Sequence, residues 1–487
     1  MTAGARRPTV AVVGGGIAGL AAAWELARQP EPVQVVVVEA ADHLGGKIRT
    51  ATVGGDRVPV GPDAFVARRP EAVELCRQIE LREELVAPAS GGAFVWSRGR
   101  LRALPVGLAL GVPTRWLALA RSGILGPLGA ARAGADLLAG PARAARPAAD
   151  DRPDMAVGAI VSRHLGRQVT ERLADPLIGG IHAGPVTAMS AAAVFAPLLA
   201  AEHIGGSLMR ALRPVSPAPT SPPAPTSPPA MFLAPRSGMT ALVDALTDRL
   251  RAEGVAIRCS TPVRTLAVRP GGWQVLVDDD HLEVDAVVVA TPASAAAGLL
   301  AAAAPEAGRR LGEVPSASVA VVTLQLPEEA LAEAGGTGFL VPASQGLLTT
   351  GCTWLSRKWP HLASSGRALV RVSCGRAGDE RAGRLSDEQL VRQVRAELAA
   401  VAGVAAEPTA WLVTRWPQAF PQYQVGHLQR VEAVEQAAAA AAAPLAVAGA
   451  ALHGVGIPAC IGSGRRAARA VLDRLAQPMA TAPNRQP

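Results

Sequence analysis

Lysine is nearly absent from this sequence. Only Lys47 and Lys358 occur, so the formal charge of +8 is carried almost wholly by arginine. Aromatic residues are scarce too, with one tyrosine, six phenylalanines and eight tryptophans in 487 residues. So few rings give little material for base stacking, and no nucleic-acid-binding motif is present, so nucleic acid is not an expected partner. The five cysteines (76, 259, 352, 374 and 460) are odd in number and far apart, and no two histidines stand three to five residues apart. That argues against a zinc site or a disulfide framework and fits a reducing, cytoplasmic setting. Long hydrophobic runs are missing as well. A long uncharged stretch, residues 176–201, is interrupted by Gly179, Gly180, Gly184, Pro185 and Pro197, which excludes a spanning helix there.

What is present is bulk apolar material, 49% of the chain, over a length that predicts two or three domains. The arginines are unevenly spread. Residues 91–150 hold eight of them (98, 100, 102, 115, 121, 132, 143 and 146) against Asp136 and Asp150, a local charge of 8 − 2 = +6. A basic segment of this kind suits an anionic partner, either a poly-acid substrate or a phospholipid surface touched weakly from outside.

The opening of the chain reads as strand, loop, helix. Residues 10–13 are apolar and β-branched, and Gly14-Gly15-Gly16-Ile17-Ala18-Gly19 follows as GxGxxG. Ile17, Leu20, Ala21 and Trp24 then recur at helical spacing. Arg6-Arg7 before an apolar run imitates a signal peptide, but the glycine pattern accounts for that run better. A second strand, residues 33–38, ends in Glu39. Gly14 permits a tight turn, Gly16 lets backbone approach a pyrophosphate, and Gly19 lets helix and strand pack closely. The helix N-terminus offers free N–H groups to phosphate, and Glu39 accepts from ribose hydroxyls. The pattern alone admits NAD or FAD. The next residues include Gly45-Gly46-Lys47-Ile48-Arg49, with two more glycines and two cations for phosphate. This second motif resembles the FAD-binding signature of the amine oxidase–like flavoprotein superfamily, and NAD would leave it unexplained.

Further segments resemble the protoporphyrinogen and coproporphyrinogen oxidase family of that superfamily. They are residues 96–105 with Gly111-Val112-Pro113-Thr114, then Asp175-Pro176-Leu177 with Gly179-Gly180-Ile181-His182-Ala183-Gly184. Residues 415–427 and Gly454-Val455-Gly456-Ile457-Pro458 complete the set. The resemblance spans roughly residues 8–475, with a Pro-rich loop at 214–230 as an insertion. It departs from the family at His182 (usually tyrosine), and at Pro185 and Ala459 (often acids).

The resemblance implies an α/β fold. A discontinuous Rossmann-like FAD-binding domain (8–60, 231–292 and 436–477) is joined by an α+β substrate domain (61–104 and 293–435) and a mostly helical subdomain (105–213). Residues 96–105 would open the helical part. The implied activity is oxidation of coproporphyrinogen III to coproporphyrin III by FAD and molecular oxygen, in three two-electron rounds that each release hydrogen peroxide. Hand-over to a ferrochelatase would follow. Protoporphyrinogen IX is the alternative substrate, and a non-catalytic flavin or tetrapyrrole carrier is the alternative of another class. Amine oxidation would need an aromatic cage that one tyrosine and six phenylalanines hardly supply. Cofactor contacts are expected from the residues of the two glycine motifs, Gly61, Pro62, Val263, Thr291, Gly449, Gly456 and Ile457. Substrate contacts are expected from Arg69, Arg98, Ile181 and His182, while Tyr423 and His427 read as structural. No side chain is required as an acid or base, because the flavin carries the redox chemistry.

Overall fold

The structure, a computed structural model, describes residues 6–89, 91–140, 153–213, 230–278, 280–362 and 366–477. Most of the Pro-rich loop, together with Arg143, Arg146 and Asp150, lies outside the described residues.

Five short strands form a parallel sheet. They are β1 (Thr9–Val13), β2 (Gln34–Val38), β3 (Ala256–Arg258), β4 (Ala286–Val289) and β5 (Leu445–Val447), in the order β3-β2-β1-β4-β5. Successive side chains point to opposite faces. Val10, Val12, Val35, Val37 and Val288 therefore enter one core, while Ala11, Val13, Val36, Val38, Val287 and Val289 enter another. Burial on both faces is why these runs are continuously apolar rather than alternating.

The first face is covered by α1 (Ile17–Ala27), α2 (Thr240–Ala252) and α4 (Ile457–Leu475). The second is covered by a three-stranded meander, residues 263–284, and by α3 (His427–Ala439). α1 and α4 touch backbone to backbone. A Cβ added to Gly464 would lie 2.0 Å from the Ala18 carbonyl oxygen. Both helices begin at the same edge of the sheet, just beyond the C-terminal ends of β1 and β5.

A second, seven-stranded sheet has Ser316–Pro327 and Arg367–Cys374 near its centre. Helix Asp387–Ala402 packs Leu390, Val394 and Leu398 against it. Here one expectation is corrected. Residues 96–104 do not open the helical part; Ala93–Ser97 and Arg100–Ala103 are the last two strands of this sheet. Arg98 (φ 56°) and Gly99 (φ 71°) make the two-residue turn between them. Two positive φ values match the twist of a tight hairpin; Gly99 adopts its angle freely, whereas Arg98 is an uncommon residue at such an angle.

A third core belongs to the helices between residues 116 and 211, with Ile160, Val161, Leu165, Leu173 and Leu198 at its centre. Within it, Thr170–Gly179 is a π-helix that contains Pro176. Proline has no N–H for the helical ladder, and such widened turns recur at functional sites. No helix among the described residues is long and apolar enough to cross a membrane.

Candidate functional site

The first glycine turn is shaped by steric necessity. Gly14 has φ 109°, and a Cβ there would approach the Ala290 carbonyl oxygen to 2.8 Å. A Cβ on Gly19 would come within 1.9 Å of the Gly14 carbonyl oxygen, so only glycine lets α1 start this close to β1. Gly16 is different. It caps α1 with no side-chain hydrogen bond, and a Cβ on it would meet nothing within 4 Å. The first-turn N–H groups have no partner within the helix and the space beside Gly16 is open, an arrangement that a phosphate suits. Ile17 and Ala18 follow in the first turn of α1, both buried.

The second glycine motif folds onto the first. Gly45 donates its N–H to the Gly15 carbonyl at 2.8 Å, and Gly16 and Gly45 form a parallel bridge. Gly46 (φ 57°) would bring a Cβ to 3.4 Å from the Gly16 Cα. The Glu39 carboxylate accepts from the Gly15 N–H at 2.6 Å and the Ala41 N–H at 2.8 Å. Thr261 donates its N–H to the Glu39 carbonyl, which brings the segment leading to Val263 alongside the acid. At the floor, the Oγ1 of Thr291 is buried without a hydrogen-bond partner. An orphaned hydroxyl, an open Gly16 and two facing glycine loops together fit the pyrophosphate of a dinucleotide.

Lys47 and Gly61 meet at the next step. A Cβ on Gly61 would lie 1.9 Å from the Lys47 carbonyl oxygen. Burial lowers the pKa of the Lys47 ammonium, and the nearby Cys460 acts the other way. Arg49 is exposed, with its guanidinium 6.0 Å from the centre of the Trp416 ring. Beyond Pro62 stands a cluster that sequence reasoning missed. Asp63 accepts from Lys358 Nζ at 2.8 Å, Trp359 Nε1 at 2.9 Å and Arg371 Nη2 at 3.2 Å. Burial pushes its pKa up, but Arg371 and Lys358 outweigh that and hold the carboxyl well below the usual range. Arg371 also donates to the Gly61 carbonyl at 3.0 Å, so the cluster fixes the 61–63 turn. One signal was available: Lys358 is half of the chain's lysine content.

From the other side, β5 leads through Gly449 to the start of α4 at Gly456 and Ile457. Gly449 has φ 122° and donates its N–H to Ser463 Oγ at 3.0 Å. The first turn of α4 contains no acid, so its partial positive end is not neutralised within the helix.

The four expected substrate residues are placed differently from one another. Arg69 is exposed at the N-cap of helix Pro70–Gln78. Arg98 is exposed in its hairpin turn and donates to the Gly123 and Leu125 carbonyls. Ile181 is 51% exposed, an unusual state for isoleucine, whereas His182 beside it is buried. The His182 ring lies 5.7 Å from that of Tyr423, and its Nδ1 has no partner. Burial, with His427 adding repulsion, lowers its pKa to about 4, so this histidine is neutral at pH 7.

A glycine turn at the tip of a parallel strand, an acid at the tip of the next and a second helix N-terminus at the same edge define a dinucleotide-binding α/β protein. The comparisons narrow this. The chain belongs to the family of flavin-containing amine oxidoreductases, which it matches over residues 17–472. It is 33% identical over 464 residues to the coproporphyrinogen III oxidase of Bacillus subtilis (strain 168), covering 94% of this chain and 96% of that protein. The coproporphyrinogen III oxidase of Propionibacterium freudenreichii is 36% identical over 511 residues, covering 97% and 92%. A solved structure from Exiguobacterium sp. 255-15, provisionally called a protoporphyrinogen oxidase, superposes with a TM-score of 0.85 at 29% identity, covering 97% of this chain and all of that one. The protein is an FAD-dependent oxidoreductase.

Proposed function

We propose that the chain oxidises coproporphyrinogen III to coproporphyrin III in heme biosynthesis, with molecular oxygen as the acceptor and hydrogen peroxide as co-product. The observation that carries this is 33–36% identity to coproporphyrinogen III oxidases over 94–97% of the chain. FAD, when bound, supplies the two-electron chemistry. The protein's share is binding, orientation and exclusion of water.

The proposed division of labour follows the geometry. Gly14, Gly15, Gly16 and Gly19, with Ile17 and Ala18, present the α1 N-terminus to the pyrophosphate. Gly45, Gly46, Lys47 and Arg49 close over it, and Glu39 takes the ribose. Val263 lies at the adenine, Thr291 and Gly449 line the floor, and Gly61 and Pro62 flank the ring system. Gly456 and Ile457 face its electron-rich end. Arg69, exposed and cationic, is the first candidate for a substrate carboxylate; Arg98 is partly occupied by turn carbonyls. Ile181 offers an apolar contact for the macrocycle, with His182 beneath it. In the same reading, 8–60, 231–292 and 436–477 form the cofactor domain, 61–104 and 293–435 the substrate domain, and 105–213 the helical subdomain.

Amine oxidation is disfavoured by the one tyrosine, which is 1% exposed and so unable to line a cage. Five free cysteines suit a cytoplasmic location. A weak peripheral contact with an anionic surface would draw on Leu117, Leu128 and Leu138, which are 52%, 85% and 86% exposed among the arginines of that region. Hand-over of product to a ferrochelatase would follow from the reaction.

The test is a pair of fluorescence assays on purified holoprotein with coproporphyrinogen III and protoporphyrinogen IX. A higher kcat/KM for the former is expected. The reverse order would favour the activity named for the Exiguobacterium structure. Binding of either porphyrinogen without bleaching of the flavin under anaerobic conditions would make the chain a carrier.

A further inference from the structure

The stretch from residue 449 to residue 456 carries the chain from β5 to α4, with one long backbone hydrogen bond inside it, from the Leu452 N–H to the Gly449 carbonyl at 3.3 Å. It contains two glycines at backbone angles that side-chain-bearing residues rarely adopt, Gly449 (φ 122°) and Gly454 (φ 138°). Between them, its peptide groups are satisfied largely by side chains from elsewhere. Tyr423 Oη donates to the Ala450 carbonyl and accepts the Gly454 N–H at 2.8 Å. His427 Nε2 meets the Leu452 carbonyl at 2.9 Å. A carbonyl only accepts, so that nitrogen carries the proton and Nδ1 is left bare; it has no partner. The two rings stack at 3.9 Å between centroids, 14° from parallel, and are 1% and 0% exposed. One hydroxyl and one imidazole therefore fasten three peptide groups of a loop 25 to 31 residues further along the chain.

The same segment is fastened on its other side to the turn that carries Ile181 and His182. Gln422 Nε2 donates to the His182 carbonyl at 2.8 Å, and Ser190 donates its N–H to the Tyr423 carbonyl at 2.8 Å. Met189 and Gln424 form an antiparallel bridge. The fit is close, because a Cβ on Gly184 would lie 1.8 Å from Gln422 Oε1. His182 then completes a ladder of three rings, His182, Tyr423 and His427, leading from that turn to the 450–454 loop.

We propose that Tyr423 and His427 are positioning residues that hold the N-terminus of α4 at the orientation FAD requires and couple it to the turn bearing Ile181 and His182. Neither side chain is placed in contact with the reacting atoms. Their effect passes through the loop to the peptide N–H groups at Gly456 and Ile457, whose partial positive charge favours added electron density on the cofactor. The proposal rests on the FAD assignment, not on which porphyrinogen is oxidised.

The test compares holoprotein carrying Tyr423→Phe, His427→Leu or His427→Gln with the parent. Glutamine keeps an N–H donor for the Leu452 carbonyl, and leucine does not. Two quantities are read without any substrate: the midpoint potential of bound FAD, by reductive titration against a reference dye, and the rate of FAD release on dilution. Tyr423→Phe and His427→Leu should each shift the reduction equilibrium about tenfold towards the oxidised form, about 30 mV for a two-electron couple. FAD release should quicken, and His427→Gln should remain within about 10 mV of the parent, about a twofold change on the same scale. A folded Tyr423→Phe protein with the parent's potential and release rate would overturn the proposal. So would equal potentials for His427→Leu and His427→Gln. If one position does not tolerate substitution, the other decides. A parent that binds no FAD would sink the cofactor assignment itself, and a yellow parent inactive on porphyrinogens would sink only the substrate reading.

Discussion

Two glycines in the first turn, three residues apart, should fail in different ways when given the same methyl group. In Gly19→Ala the new carbon would sit 1.9 Å from the Gly14 carbonyl oxygen, whereas a relaxed C···O contact needs about 3.3 Å, so the turn must open by roughly 1.4 Å. Gly14 has little freedom to retreat. Its own Cα faces the Ala290 carbonyl, and its N–H is committed to Val38 at 2.8 Å. Overpacking of this kind costs ~1–3 kcal/mol in stability. Displaced peptide donors should also weaken FAD binding. In Gly16→Ala, by contrast, the methyl meets no protein atom within 4 Å and projects into the space assigned to the pyrophosphate. Stability of the FAD-free protein should be unchanged, while FAD affinity falls by ~1–3 kcal/mol, or about 5- to 150-fold in Kd. Thermal melting of the FAD-free proteins and calorimetric titration with FAD separate the two cases. A Gly16→Ala protein that binds FAD like the parent would refute the placement of the cradle, and a Gly19→Ala protein with unaltered melting would refute the steric argument.

Glu39→Ala should weaken FAD binding, since the carboxylate also braces Gly15 and Ala41; unchanged affinity by the same titration would mean the acid serves the fold alone. Arg69→Ala should raise KM for the porphyrinogen more than it lowers kcat, the pattern of lost uniform binding, and an unchanged KM would remove it from the site. Asp63→Ala leaves Lys358 and Arg371, 21% and 14% exposed, without their shared carboxylate. Denaturant unfolding should show a loss of ~3–5 kcal/mol, and a loss under about 1 kcal/mol would contradict the buried cluster. His164 hydrogen bonds Asp136 at 3.1 Å and Glu202 at 2.7 Å, and these partners raise its pKa against the pull of burial. Its stabilisation should be complete below the unfolded histidine value of about 6.5 and fade as pH rises through the higher folded value. Melting recorded from pH 5 to 9 should show that decline in the parent and not in His164→Gln.

Local chemistry was readable from the sequence where one short segment carries the whole constraint. Residues 10–19 announce strand, turn and helix because each glycine there answers a contact inside the same unit, as Gly19 answers Gly14. Glu39 was readable because it ends the neighbouring strand. Asp63 was not, since its partners Lys358 and Arg371 lie 295 and 308 residues away and nothing in the intervening spacing links them. The Tyr423–His427 stack was visible only as a motif, with its purpose hidden until the loop at 450–454 came to rest on it. The hairpin at 96–104 was misplaced for a related reason: its two strands are short, and the pairing of Ala93–Ser97 with Gly338–Leu340 joins residues far apart in sequence.

The interleaving of the parallel sheet has a consequence for biosynthesis. β1 and β2 emerge from the ribosome early, yet β4 and β5 that complete their sheet end at residues 289 and 447. Between the last residue of β2 and the last of β5 lie 447 − 38 = 409 residues, roughly 20–80 s of translation. For the first 289 − 38 = 251 of those residues the nascent valine-rich edge of β1 lacks its neighbour, and the glycine turn lacks the backing of Ala290. With the cofactor held as proposed, its capture would follow synthesis of β5 and α4, and the unpaired young strand is where a chaperone would be needed.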